Sequence, residues 1–129
     1  MNVILAPLLF VLPSELDAFT AFDMLITRHA PQYSTAGLDG QQHGCSLVDR
    51  LLLLLDPELH RHVHGHIRDT EIFAFPFISS LLASMRPLQE VIFLWDGVLA
   101  FGTHFNVILF SVHLVMHREE LLAADTAYK

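Results

Sequence analysis

Four of the chain's nine histidines alternate along one short stretch, at His60, His62, His64 and His66. Imidazole is a common metal ligand, and on a helix the pairs 60/64 and 62/66 have the i,i+4 spacing that lets two rings reach one ion. The two pairs point about 200° apart around a helix axis. Neither a cysteine nor a converging carboxylate stands beside them to complete a tetrahedral set. The run is therefore expected to be a solvated histidine-rich face that holds no metal. His113 and His117 repeat the spacing, but Leu114 sits where a zinc protease carries its general-base glutamate. No nucleophile arrangement exists either: GxSxG and glycine-rich phosphate loops are absent, and Cys45 has only His43 near it in sequence. Trp95 beside Asp96 raises the idea of a cofactor pocket, yet a tryptophan on an apolar helix face serves as a core anchor. These constellations assign no catalytic residue and no cofactor.

Bulk properties narrow the choice further. A chain of 129 residues suits one domain with one core. Fourteen acidic against seven basic residues give a net charge of -7, the wrong sign for tracking a phosphate backbone, so no nucleic-acid partner is expected. A single cysteine cannot form an intrachain disulfide, which suits a reducing cytosolic or nuclear compartment, the cytoplasm being the expected location. Apolar residues reach 53%, but the longest run, 105–116, carries Asn106 and His113 and falls short of the ~20 residues needed to span hydrocarbon. The apolar stretch from Val3 to Leu12 lacks a preceding basic region and is interrupted by Pro7, with Pro13 following. Neither a signal peptide nor integral membrane insertion is expected.

The elements that must position these residues read as helices. Val3 to Leu12 stops at Pro13 and predicts the end of a buried helix. Ser14 with Asp17 forms an N-cap signal, and Leu16, Phe19, Phe22 and Ile26 then recur at the spacing of an amphipathic helix. Residues 31–44 are polar, contain three glycines and lack periodicity, which predicts a surface loop. Leu47 to Leu55 includes five consecutive leucines, and the run Leu51 to Leu55, apolar on every side, should lie centrally, covered by other helices or by a missing partner. Asp56 before Pro57 marks the start of the short histidine-rich helix. Pro76 predicts a kink or a late helix start within 71–84. Pro87 opens a helix with Leu88, Val91, Ile92, Trp95, Val98 and Leu99 on one face, and Gln89, Glu90 and Asp96 away from it. That helix ends near Gly102, and Thr103 reads as the N-cap of a last long helix running toward His117 and Arg118. No strand pattern survives, so the expected fold is an all-α, bundle-like array of about six to seven helices.

Several of these segments, in order, resemble signatures of the TBC domain, the helical module of Rab-type GTPase-activating proteins. Met1-Asn2 with its apolar continuation resembles the end of the family's YxQGMN motif, and Leu51 to Leu59 with Asp56-Pro57 resembles its LL…DPxL stretch. Phe73-Ala74-Phe75 is similar to its FAF motif, and Leu94-Trp95-Asp96 to its LWD motif. The resemblance implies a partial TBC domain over 1–122, the C-terminal part of that domain, with a tail at 123–129. Pro76 after FAF, and Ala100-Phe101-Gly102 followed by His104 and Asn106, resemble the mitotic-exit checkpoint branch. That branch implies a Ras-like GTPase, a separate scaffold subunit and a spindle-pole or centrosome location, whereas most of the family implies a Rab GTPase in membrane traffic. TBC domains supply an arginine from IxxDxxR, which offsets charge on the transferred phosphoryl group, and a glutamine from YxQ, which orients the attacking water. Neither finger occurs here. The residues three after each aspartate are Thr20, Ile26, Gln42, Leu52, Leu59, Ile72, Leu99 and Tyr128, and neither tyrosine, Tyr33 nor Tyr128, opens a YxQ. The expectation is a regulator of a GTPase, not itself an enzyme, that is inactive as written. The alternative is a non-catalytic helical module that docks a small GTPase or a checkpoint scaffold subunit.

Overall fold

The computed structural model describes residues 2–67 and 70–124; Met1 of the first motif lies outside them. Among the described residues eight α-helices follow one another: α1 (Asn2–Val11), α2 (Glu15–Met24), α3 (Asp39–Leu55), α4 (Pro57–Ile67), α5 (Thr70–Ser79), α6 (Leu88–Phe101), α7 (Phe105–Met116) and α8 (Arg118–Ala123). A π-helical turn (Leu25–His29) and a 3-10 turn (Pro31–Tyr33) stand between α2 and α3. The described residues contain no strand, so the fold is all-α, with one short helix more than expected. None of these helices is long and apolar enough to cross a membrane.

Helix α3 is the hub, packing against α4, α5 and α7. It begins at Asp39, inside the segment expected to be a loop. The reason is close packing. A Cβ at Gly44 would lie 2.7 Å from Ile78 Cγ2, so a bare backbone lets α3 and α5 approach. Buried Gln41 ties the new first turn back by donating to the Tyr33 carbonyl at 3.0 Å. Val48, Leu52, Leu59, Ile78 and Phe110 then form the principal core, with Phe77 stacked on Phe110 at 4.8 Å. Burying side chains of this size contributes about 1.5–3 kcal/mol each.

A second core gathers Ile4, Leu25, Ile26, Tyr33, Val91 and Trp95, where α1 and the π turn meet α6. Ser14 caps α2 as expected, accepting from the Asp17 N–H at 3.1 Å. The apolar stripe of α2 is not the buried one, however: Leu16 is 74% exposed and Phe19 63%, while Ala18 is buried. The wide turn closes from the Ala30 N–H to the Leu25 carbonyl, adding a residue to the helical repeat and turning Leu25 and Ile26 inward together. Helix α1 likewise buries Ile4 but leaves Leu9, Phe10 and Val11 exposed, so it is not the enclosed helix its composition predicts.

Of the kink or late start expected at Pro76 the late start is excluded, and the expected Thr103 cap is corrected. Helix α5 begins at Thr70 and continues through Pro76, with no late start. Proline has no N–H to pair with the Ile72 carbonyl, and both residues are exposed, where solvent can take that place. Thr103 does not cap α7: His104 holds the cap position, and the Thr103 hydroxyl donates to the His29 carbonyl at 3.2 Å, joining α6–α7 to the π turn. Gly102 ends α6 as expected, at φ 101, a backbone region that favours glycine.

Candidate functional site

The motif residues do structural work in different places. Asp56 ends α3 and starts α4, accepting from the Leu59 N–H on Oδ1 at 2.9 Å. That backbone bond holds its carboxyl below the usual carboxylate range, and the Arg118 guanidinium adds to the effect against a smaller opposing effect of desolvation. Arg118 Nε donates to Asp56 Oδ2 at 2.7 Å, and Arg118 also bonds Glu58. Pro57 occupies the first position of α4, where its missing N–H is not needed. The start of α8 is thereby fastened to the start of α4.

Phe73, Ala74 and Phe75 share the middle of α5. Ala74 is fully buried against the principal core, and the two phenylalanines are half-buried around it. Phe73 lies 6.0 Å from Phe110, within aromatic contact range. In α6, Leu94 packs on the principal core, Trp95 is 4% exposed in the second, and Asp96 faces solvent. The Trp95 indole N–H donates to the Leu81 carbonyl at 2.8 Å. Leu81 and Leu82 have φ 52 and 69, a left-handed region costly for branched side chains, so the tryptophan fixes the strained link that follows α5. Trp95 is a core anchor, as its face predicts. Asn106 is fully buried, and its Nδ2 donates to Tyr33 Oη at 3.1 Å and to the Ile78 carbonyl at 3.2 Å. Met1 lies outside the described residues and Asn2 begins α1, so the first motif contributes no described side chain.

One constellation was missed by sequence reasoning. The histidine run does not lie wholly on a solvated face, because α3 supplies the carboxylate that the run itself lacks. Asp49 Oδ1 is 3.0 Å from His60 Nε2, 2.6 Å from His64 Nε2 and 2.7 Å from Thr70 Oγ1. Burial pushes the Asp49 carboxyl up, while hydrogen bonds from His64, Thr70 and His60 outweigh it and hold the group below its ordinary value. The sequence signal was an aspartate one turn past Cys45 on a helix with buried glycine, but only a contact between α3 and α4 brings it to the histidines. The pair at the end of α7, His113 and the cap residue His117, differs: burial pushes His113 down, with neighbouring His117 adding to the effect, and His117 Nδ1 lies 3.1 Å from Glu120.

An all-helical core, Ala74 of FAF and Trp95 as buried anchors, and a capped DP turn make up a helical scaffold. The Rab-GTPase-TBC domain profile matches residues 1–122, and the chain belongs to that family. It is similar to the mitotic check point protein BUB2 of Saccharomyces cerevisiae, 37% identical over 98% of this chain and 41% of the yeast protein. It is similar also to cell division control protein 16 of Schizosaccharomyces pombe, 34% identical over 95% of this chain and 41% of that protein. A more distant relative is mouse TBC1 domain family member 22A, 29% identical over 84% of this chain. The chain thus spans about two fifths of the length of the yeast relatives (41%). No solved structure matches it.

Proposed function

We propose that this chain is the C-terminal scaffold of a GTPase-activating domain for a Rab- or Ras-like small GTPase, and that alone it does not accelerate GTP hydrolysis. The observation that carries the reading is the family match over residues 1–122 in a sequence with neither DxxR nor YxQ. Asp56, Pro57, Ala74, Leu94 and Trp95 of the motifs do packing and capping work, which supports a supporting role rather than a chemical one. The similarity to check point proteins favours the Ras-like partner, a scaffold subunit and a spindle-pole location within that reading.

Single-turnover GTP hydrolysis across a panel of Rab and Ras-like GTPases tests it. Rates within about tenfold of the intrinsic rate are expected, since each decade needs about 1.4 kcal/mol of transition-state stabilisation that the missing fingers would supply. Larger stimulation would overturn the reading and direct attention to the exposed arginines Arg28, Arg50 and Arg86.

A second reading, a silent docking module, is favoured by the apolar residues left on the surface, among them Leu54 at 80% and Phe93 at 75% exposure. Under that reading the chain binds a GTPase or the scaffold subunit without changing hydrolysis. Equilibrium binding to nucleotide-loaded GTPases, measured beside the hydrolysis assay, separates the two.

A further inference from the structure

The cluster around Asp49 carries an inference independent of any GTPase. We propose that Asp49, His60 and His64 form a divalent transition-metal site, with zinc the ion that best suits two imidazole nitrogens and one carboxylate oxygen. Among the described residues this is the one group of three such side chains whose ligand atoms all lie within 4.8 Å of one another. His60 and His64 stand one turn apart on α4, rings 4.3 Å between centroids, so one helix face presets two ligands. The third comes from the neighbouring helix α3, which makes the site a cross-link between elements rather than a property of the run alone.

Protons satisfy this geometry poorly. One carboxylate oxygen faces three donors, His60 Nε2, His64 Nε2 and Thr70 Oγ1. Thr70 Oγ1 and His64 Nε2 are themselves 3.0 Å apart, although each already points at Asp49. Both imidazoles must carry their proton on the nitrogen that faces the carboxylate. A single cation among the three atoms replaces that crowding, with neutral imidazoles and an ionised carboxylate as ligands. Zinc bonds of about 2.0–2.2 Å place tetrahedral ligands roughly 3.3 Å apart, so the present 2.6–3.0 Å separations open by about half an ångström. Side-chain rotation supplies that. Exposure grades across the site, from 16% at the His60 side chain to 39% at His64, so the ion is anchored on one side and open to water as a fourth ligand on the other. Thr70 lies where its hydroxyl can bond that water or the carboxylate, tying the start of α5 to the same ion. With nitrogen-rich ligands the site favours zinc, cobalt or nickel over magnesium and calcium.

The test is a zinc titration of the 129-residue chain stripped with chelator, followed by calorimetry and by cobalt absorption in the visible. The expected result is one ion per chain with a dissociation constant below about 10 μM. Asp49→Asn, His60→Gln and His64→Gln should each weaken it at least about tenfold, the loss typical even of outer-shell changes. The double variant His113→Gln/His117→Gln removes another i,i+4 pair and should change affinity less than about twofold. Circular dichroism of every variant establishes that helicity is kept; if a glutamine variant unfolds, the cobalt spectrum of the parent chain still decides, because tetrahedral coordination gives intense bands that an octahedral surface ion lacks. Affinity weaker than about 10 μM, or equal losses from the two histidine pairs, would overturn the site.

Discussion

At the residue scale, Trp95 and Asp56 show how motif positions act through packing and capping. Trp95→Ala should destabilise the fold by roughly 3–5 kcal/mol, and Trp95→Phe by less, since phenylalanine keeps much of the ring but not the bond to Leu81. Denaturant melts of both variants check this, and an emission maximum typical of water-exposed indole in the parent chain would contradict the burial. Asp56 has its folded-state pKa lowered by the Leu59 N–H and by Arg118. The sign follows from linkage: its contribution is present above the ordinary carboxylate value near 4 and is lost as pH falls through the depressed folded value. Asp56→Asn keeps a capping oxygen but not the charge. Its stability should therefore fall less steeply than the parent's as pH drops below the ordinary carboxylate value near 4, measured by thermal melts at stepped pH.

At the element scale, two helical glycines with the same propensity should respond oppositely to alanine. At Gly65 of α4 an added Cβ meets nothing within 4 Å, so Gly65→Ala should stabilise by about 0.5–1 kcal/mol. At Gly44 of α3 the same atom would stand 2.7 Å from buried Ile78, and Gly44→Ala should destabilise by roughly 1–3 kcal/mol. Chemical denaturation of the pair is the measurement, and a gain at both positions would mean that α3 and α5 are not in close contact. The same contact explains why the helix from Asp39 was not legible in sequence. Gly40 and Gly44, with Asp39 and His43, lower local helix propensity in 39–44, and only the fit against Ile78 and the Gln41 bond to Tyr33 overrides it. In α2 the periodicity was legible but its inward face was not, because the π turn rotates the register after Met24.

At the scale of the whole molecule, large apolar residues remain uncovered on several elements: Leu9, Phe10 and Val11 on α1, Leu16 and Phe19 on α2, and Leu53, Leu54 and Leu55 on α3. We expect these to meet the remainder of a TBC domain. Each uncovered leucine forfeits about 1.5–3 kcal/mol of burial, and a few such losses rival a total stability of about 5–15 kcal/mol. Expressed alone, residues 1–129 should bind a hydrophobic dye, self-associate and unfold at a lower midpoint than a protein extended upstream through IxxDxxR and YxQGMN. A monomeric, dye-silent chain that unfolds cooperatively at the extended protein's midpoint would instead make it a self-sufficient binding module.

Local patterning determined the helical class, the Ser14 and Asp56 caps and the stop at Gly102, because each depends on neighbours within a few residues along the chain; the apolar face of its own helix also marked Trp95 for burial, although the residues that cover it lie far away in sequence. Ordered motifs determined the family, because side chains that pack together leave a readable spacing even when no single tripeptide is specific. The tertiary structure decided what depends on partners far apart in sequence. It selected the face of α2 that turns inward, extended α3 back to Asp39, and directed Thr103 to His29 rather than to its own helix. It also brought Asp49 to His60 and His64. A histidine pair is visible in sequence because one helix fixes both members; its carboxylate is not, because its place depends on how a second helix packs against the first.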